Sequence, residues 1–256
     1  MEVVQLLAPA AVIWFCVSLL WLISLRIRDV SIADIWWGPG FALLAWTLCL
    51  SVDEPSGRLG LLAAAMSVWG LRLGLYLGRR NLGHPEDRRY AAMRRATPGF
   101  WWVSLFKVFY LQGLLQLVVA LPFAAIANST QAFSVLDLLG FTVLLSGVLV
   151  EAIADRQLTA FKLRPASGTA VLREGLWGWS RHPNYFGNAL IWLGVGVVAI
   201  AAAAPWWTLA GPALMWFLLL RVSGVSMLER TIVDRRPDYR RYMEEVSAFF
   251  PWPPGP

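Results

Sequence analysis

The sequence predicts an all-α integral membrane protein with seven transmembrane helices. Hydrophobic residues make up 58% of the 256 positions and charged residues 15%, whereas soluble domains are about a quarter charged. Mean hydropathy is +0.57, and apolar runs of about 20 residues, the length that crosses a bilayer, recur along the chain. Basic residues are concentrated in alternate loops. These three observations favour a multi-pass membrane protein over a soluble or nucleic-acid-binding one.

Seven apolar runs are long enough to be spans, at 3–25, 34–52, 59–78, 100–127, 133–154, 184–204 and 206–228. The first is too long for the hydrophobic part of a signal peptide and lacks a small-residue cleavage site, so we interpret it as a span. The fourth has 28 residues, so part of it is expected to tilt or to lie outside the hydrocarbon. Only Pro205 separates the last two runs. Residues 1–256 are predicted to form a single membrane domain.

The basic residues indicate an orientation. Of the 22 Lys and Arg residues, 18 lie in the loops and tail at 26–28, 79–95, 156–181 and 230–241, whereas only Arg58 lies in the opposite loops. The positive-inside rule places the basic loops in the cytoplasm. The N-terminus is then outside and the C-terminus cytoplasmic. Anionic lipid headgroups account for the net charge of +6, so we expect membrane lipids as partners and no nucleic acid.

Three pairs of polar residues lie at the cytoplasmic ends of the last three predicted spans. Members of each pair share one helix face, because they are four or eight positions apart: Glu151 and Asp155, Asn184 and Asn188, Arg221 and Glu229. Ionisable groups inside spans cost roughly 2.5–3.5 kcal/mol each and commonly mark a site. Interfacial capping and snorkelling are the alternative explanation for any single pair. Three pairs at one depth predict a polar cavity that opens to the cytoplasm.

A second polar group lies in the first half of the chain. Asp34 opens the second span, and Arg72 and Tyr76 are one turn apart in the third, just after Trp69. An arginine well inside a span needs a carboxylate partner, and Asp34 is the first candidate. The group is completed by Trp36, Trp37, Gln112 and Gln116. Together these residues predict a pocket for an apolar ligand with one polar group.

Five segments resemble the steroid 5α-reductases and their bacterial relatives of unknown function: DIWWGPGF, WGLRLGLYLGRRNLGHPEDRRYAAMR, EAIADRQL, LREGLWGWSRHPNYFGN, and the C-terminal LLLRVSGVSMLERTIVDRRPDYRRYMEEVSAFFP. The resemblance covers most of the chain. It implies seven helices, with a substrate pocket in residues 1–127 and an NADPH site in residues 133–256. It also implies a bacterial inner membrane, a cofactor site facing the cytoplasm and no obligate protein partner.

The resemblance also implies roles for individual residues. Asp155, Asn184 and Arg221 match positions that contact the cofactor, and Lys162 is a candidate for its phosphates. Glu151 stands where the animal enzymes have Asn, and Asn188 where they have Glu. Further cofactor candidates, by position on a shared face or membership of the motifs, are Arg173, Arg181, His182, Tyr185, Glu229, Arg236, Tyr239 and Tyr242. The catalytic candidates are Asp34, Arg72, Tyr76 and Trp69, which occupies the expected place of a catalytic tyrosine.

The expected reaction is NADPH-dependent reduction of the C=C bond of a lipophilic enone, such as a 3-oxo-Δ4-steroid, which enters from the bilayer. No GxGxxG motif is present, so the cofactor is expected to bind without a Rossmann domain. Two histidines and two cysteines predict no metal site. Two alternatives remain. Isoprenylcysteine methyltransferases, which use S-adenosylmethionine, have similar Arg-His-Pro-x-Tyr segments, and a lipid-binding or transport protein would need no cofactor.

Overall fold

The computed structural model describes residues 4–165, 170–222, 229, 236 and 238–253, and every regular element in these ranges is helical. The helices, in chain order, are α1 (Val4–Ile27), α2 (Ile32–Ser51), α3 (Gly57–Asn81), α4 (Arg88–Ala96), α5 (Phe100–Val119), α6 (Leu121–Ala127), α7 (Val135–Lys162), α8 (Pro183–Ala201), α9 (Trp206–Val222) and α10 (Tyr239–Glu245). A short 3₁₀ turn at Gly175–Gly178 precedes α8.

Six of these helices, α1, α2, α3, α5, α7 and α8, are long and apolar enough to cross a membrane. The prediction of an all-α, multi-pass protein is therefore confirmed at this level. The seventh predicted span, 206–228, corresponds to the shorter apolar helix α9, and its residues 223–228 lie outside the described residues. The seventh crossing and the orientation of the termini stay predictions.

The predicted fourth span does not form one continuous element. Helix α5 ends at Val119, Ala120 leaves the helical region with φ −85° and ψ 7°, and α6 begins at Leu121. Pro122 lacks the backbone N–H and clashes with the preceding turn, which stops a helix from continuing through it. A membrane-capable helix is therefore confirmed at Phe100–Val119, and the rest of the predicted span, up to 127, forms the separate short helix α6. Within α5, residues Leu105–Tyr110 form a π-helical turn.

Helix α7 is longer than the fifth predicted span. It starts at a capping box, in which Ser134 and Asp137 bind each other's backbone N–H groups. It then continues to Lys162, eight residues beyond the predicted end at 154. Asp155 consequently lies inside the helix, one turn after Glu151, and not at its end.

The chain divides into two compact units, of which the first contains residues 1–133 and 199–211. Its core includes Phe41, Trp69 and Phe123. Helices α2 and α3 approach closely, because a Cβ atom placed on Gly38 would lie 2.8 Å from the carbonyl oxygen of Gly70. Arg58, the lone basic residue in the opposite loops, is buried and donates to the carbonyl oxygens of residues 131 and 132. It therefore has a structural role in the loop before α7.

The second unit contains residues 134–198 and 212–256. Helices α7 and α8 touch through two pairs of glycines, and the two glycines on each helix are seven residues apart. A Cβ on Gly147 would lie 2.5 Å from the oxygen of Gly187, and a Cβ on Gly194 would lie 2.5 Å from the oxygen of Gly140. Small residues allow such close helix contacts in membranes. The backbones of α7 and α8 therefore meet without intervening side chains.

Replacing Gly147 with Ala should destabilise the protein by about 1–3 kcal/mol, because the added methyl group forces α7 and α8 apart. Gly60→Ala is the control, since this glycine in the first turn of α3 has nothing within 4 Å of a built Cβ atom. Its stability should be unchanged or slightly raised. Unfolding in detergent, followed by circular dichroism against denaturant, compares the two variants. Equal effects would show that the glycine contact does not limit stability.

Candidate functional site

Two carboxylate–carboxamide pairs lie between α7 and α8. The side-chain N–H₂ of Asn188 donates to Glu151 at 3.4 Å, and that of Asn184 donates to Asp155 at 3.3 Å. Glu151, Asp155 and Asn188 are buried, and Asn184 is half-buried. We call these four residues the α7–α8 seam. The structure thus brings together two of the three polar pairs that the spacing singled out.

The glycine contacts position this seam. Glu151 follows Gly147 by one turn, and Asn188 is the residue after Gly187. A Cβ on Gly187 would lie 2.6 Å from the backbone nitrogen of Glu151. At this separation the short asparagine side chains reach the carboxylates directly. A larger residue at either glycine would move the carboxamides out of hydrogen-bonding distance.

One atom of the seam points to a ligand. The Oδ1 atom of Asn188 is buried and accepts no hydrogen bond within the part of the chain that the structure describes. Buried polar atoms are almost always satisfied, so such an atom needs an explanation. An amide N–H or a hydroxyl group would complete it. The seam therefore combines carboxylates, carboxamides and an open acceptor, the groups that bind ribose hydroxyls and carboxamides.

The segment before α8 holds a buried charge cluster. Arg181 donates to both carboxylate oxygens of Glu229, at 2.7 and 3.1 Å. A ring nitrogen of His182 lies 3.1 Å from the same carboxylate. The His182 ring stacks on Tyr185, with centroids 5.6 Å apart and planes 7° from parallel. Glu229 thus contacts two residues of the segment that also supplies the asparagines.

The same segment anchors the C-terminal residues. The remaining guanidinium nitrogen of Arg181 donates to the carbonyl oxygens of Met243 and Val246, at 2.9 and 2.7 Å. The Ser180 hydroxyl donates to the oxygen of Phe249 at 2.8 Å. All three nitrogens of Arg181 therefore bind protein atoms here. Its predicted contact with a cofactor stays a prediction, as does that of His182.

Burial would by itself raise the pKa of Glu229, but hydrogen bonds from His182 and Arg181 outweigh it and lower the pKa to about 2. Burial and the nearby Glu229 charge raise the pKa of Tyr239 to about 12. Tyr242 is also buried and donates to the carbonyl oxygen of Trp177. Both phenols therefore stay neutral at physiological pH and act in packing and hydrogen bonding.

The other predicted cations of the cofactor group differ in their exposure. Arg173 pairs with Glu245 and lies over the ring of Tyr242. Arg236 donates to the carbonyl oxygen of Ala170 at 2.6 Å. Lys162, the last residue of α7, and Arg221, in a π-helical turn that ends α9, are exposed. The side chains of Lys162 and Arg221 are therefore accessible to solvent.

In the first unit, Asp34 lies in a network that differs from the prediction. Its carboxylate accepts from the Tyr90 hydroxyl at 2.6 Å, from Arg89 at 2.7 Å and from Gln112 at 3.2 Å. The cation that pairs with Asp34 is thus Arg89, and the expected pairing with Arg72 is wrong. Arg89 and Tyr90 belong to the short helix α4, and their side chains reach Asp34 in the first turn of α2. Their only sequence signal was a tyrosine within a basic stretch, RRYAAMRRA.

The remaining members of the predicted substrate group make other contacts. Trp69 is fully buried and packs on Phe41, so it belongs to the core. Tyr76 is half-buried with Arg80 over its ring, and Arg72 is half-buried on the same helix. Gln116 is buried, accepts from Trp36 and donates to the oxygen of residue 37. Of the expected group, Gln112 donates a hydrogen bond to Asp34.

Residues 20–246 match a family described as "Protein of unknown function (DUF1295)". The chain belongs to this family. The match includes the α7–α8 seam, the Glu229 cluster and the Asp34 network. The chain is also 28% identical over 268 residues to the uncharacterized protein C594.04c of Schizosaccharomyces pombe, covering 91% of this chain and 76% of that protein. No solved structure matches the chain significantly.

Glu229→Gln should lower the free energy of unfolding by about 3 kcal/mol, because it leaves the buried Arg181 charge without its partner. Glu174→Gln is the control: its pair with Arg164 is exposed and screened by solvent, so the loss should be much smaller than that of Glu229→Gln. Since the pKa of Glu229 is lowered from 4.5 to about 2, its stabilisation should be complete above pH 4.5 and disappear as the pH falls toward 2. Denaturant unfolding at several pH values measures the loss of unfolding free energy and its pH dependence. Identical pH profiles for the wild type and Glu229→Gln would contradict the assignment.

Proposed function

We propose that the chain is an NADPH-dependent membrane reductase, similar to the steroid 5α-reductases, that reduces the C=C bond of a lipophilic enone such as a 3-oxo-Δ4-steroid to its 5α-dihydro product. The α7–α8 seam carries this proposal. It contains two buried carboxylates, each met by a carboxamide, inside helices apolar enough to cross a bilayer. Polar groups in such helices are costly and are retained for function.

The seam fits a dinucleotide. The open Oδ1 acceptor of Asn188 suits an amide N–H or a ribose hydroxyl, and the carboxylate of Asp155 suits a ribose hydroxyl. Lys162 and Arg221 would bind phosphate oxygens through charge-assisted hydrogen bonds. When bound, NADPH supplies a hydride, and the residues of this chain orient the cofactor and exclude water from it. The basic loops favour the cytoplasmic side of the membrane for this site, and the resemblance to bacterial relatives favours a bacterial inner membrane.

The first unit supplies a candidate for the substrate carbonyl. Tyr90 is the donor of the Asp34 network that we assign to this oxygen, because rotation about one bond can turn its hydroxyl from Asp34 to a carbonyl oxygen. Arg89 remains to balance the charge of Asp34. Negative charge develops on that oxygen as hydride reaches the β-carbon, and a fixed donor stabilises it. Arg72 and Tyr76 are the alternative donors. Trp69, a buried indole, is assigned to packing.

NADPH should raise the thermal midpoint of the purified protein, and S-adenosylmethionine should not. Asn184→Ala and Arg221→Ala should each weaken NADPH binding about tenfold, the effect of about one lost hydrogen bond. Tyr76→Phe, in the first unit, is the control and should bind as the wild type does. Thermal-shift titration with NADPH, NADH and S-adenosylmethionine distinguishes a reductase from a methyltransferase. Stabilisation by S-adenosylmethionine alone would favour the methyltransferase, and stabilisation by none of the three would contradict both enzymes.

Tyr90→Phe should reduce substrate-dependent NADPH oxidation at least tenfold without weakening NADPH binding, because it removes the proposed carbonyl donor. Tyr76→Phe is the matched variant, and its turnover should stay within about twofold of the wild type. Absorbance at the NADPH band, with a panel of enone steroids, gives both rates. If Tyr76→Phe lost more turnover than Tyr90→Phe, the carbonyl donor would be Tyr76 on α3. No turnover by the wild type with any enone would remove the substrate assignment.

A further inference from the structure

The last described residues, 247–253, form an uncharged, apolar segment that follows helix α10 and belongs to the second unit. Their sequence is SAFFPWP. Phe249 is buried, whereas Phe250 is 59% exposed and Trp252 is 72% exposed. Neither the α7–α8 seam nor the Glu229 cluster uses these two exposed rings. The segment therefore presents a large aromatic surface outside the core of the protein.

Hydrogen bonds hold this segment against the residues just before α8. The backbone N–H of Trp252 donates to the carbonyl oxygen of Trp179 at 2.9 Å, and the Ser180 hydroxyl donates to that of Phe249 at 2.8 Å. Trp179 is itself 50% exposed. The two prolines of the segment restrict its backbone further. We call Trp179, Phe250 and Trp252 the aromatic edge, a set of exposed rings on a restrained backbone.

Ring contacts place the aromatic edge beside a membrane-capable helix. The ring centroids of Phe249 and Phe250 lie 5.8 and 6.1 Å from that of Phe186, in the first turn of α8. They lie 6.2 and 6.5 Å from the ring of Trp216 in α9. The indole N–H of Trp216 in turn donates to the carbonyl oxygen of Ala189, in the second turn of α8. Since α8 is long and apolar enough to cross a membrane, the segment lies at the level where that helix enters the bilayer.

The surface changes from charged to apolar just before the segment. Helix α10 exposes Arg240, Arg241 and Glu244, whereas no charged side chain follows Glu245. Tryptophans are enriched where lipid headgroups meet acyl chains, because the ring is apolar and its N–H is polar. The charged helix and the aromatic edge therefore fit the two sides of one membrane surface.

The hydrogen-bonding groups of the segment also fit a lipid interface. Non-helical backbone is costly in lipid, because an N–H group without a partner has no water there to bind. Pro251 and Pro253 have no N–H group, and that of Trp252 is bonded. The indole N–H groups of Trp179 and Trp252, in contrast, make no hydrogen bond with a described residue. They are therefore available as donors to lipid oxygens.

We propose that the aromatic edge is a membrane-interface anchor, which inserts at the boundary between headgroups and acyl chains in the leaflet where α8 begins. Phe250 contacts the acyl chains, and the indoles of Trp179 and Trp252 donate to ester or phosphate oxygens of the lipids. The occupant of this surface is thus the bilayer itself and not another protein. The anchor is independent of the proposed reductase activity.

Fluorine NMR of protein labelled with 5-fluorotryptophan, in nanodiscs that hold one copy each, tests this proposal. The chain has 15 tryptophans, so the Trp252 resonance is identified by its loss in Trp252→Phe. Because the Trp252 ring is largely exposed, this variant should unfold at the wild-type midpoint. Dissolved oxygen, which concentrates among acyl chains, and a water-soluble gadolinium chelate each broaden the resonances that they reach. Oxygen should broaden the Trp252 resonance more than the chelate does.

Two comparators calibrate the broadening. Trp46, exposed on the membrane-capable helix α2, represents lipid, and the resonance added by Arg240→Trp, on the charged helix α10, represents water. The ratio of oxygen to chelate broadening for Trp252 should lie nearer that of Trp46. A ratio equal to that of the added resonance would place the ring in water and overturn the proposal. Weak broadening by both agents would also overturn it, because protein would then cover the ring.

Discussion

The contact between the backbones of α7 and α8 is the constraint on which the seam depends. Gly147 and Gly187 remove the side chains that would otherwise separate the helices. One turn further along, the same separation leaves room for a carboxylate facing a carboxamide, twice in succession. In an apolar environment these partners offset part of the cost of burying charge. The distance between the axes of α7 and α8 therefore determines both the packing of the two helices and the hydrogen bonds of the seam.

The segment from Ser180 to Asn188 links this seam to the C-terminal residues. Its first residues, Ser180 and Arg181, bind backbone oxygens between 243 and 249. Its last residue, Asn188, binds Glu151. Helix α8 begins at Pro183, between these two sets of contacts. The C-terminal contacts therefore lie just before the helix, and the seam contacts lie in its first two turns. Glu229 and the C-terminal segment therefore contact the same short segment that supplies the asparagines.

Helical periodicity made the seam predictable. The spacing of four residues places Glu151 and Asp155, and likewise Asn184 and Asn188, on one face regardless of the rest of the fold. Gly140 and Gly147 are seven residues apart, as are Gly187 and Gly194. This spacing is also visible in the sequence and indicates the close contact between α7 and α8. The partners of Asp34 were not predictable, because Arg89 and Tyr90 are more than 50 positions away in a loop helix. No local sequence pattern predicts a contact over such a distance. Arg72, an arginine inside a span, was therefore chosen as the partner of Asp34 in place of Arg89.

The nucleotide that co-purifies with the protein tests the central claim, that the α7–α8 seam holds a dinucleotide. Gentle extraction, denaturation and mass spectrometry of the released small molecules identify it without assuming a substrate. The account predicts NADP(H) in the wild type at near-stoichiometric amounts, and its loss from an Asn184→Ala variant that remains folded. S-adenosylmethionine in its place, or NADP(H) retained fully by the Asn184→Ala variant, would contradict the account.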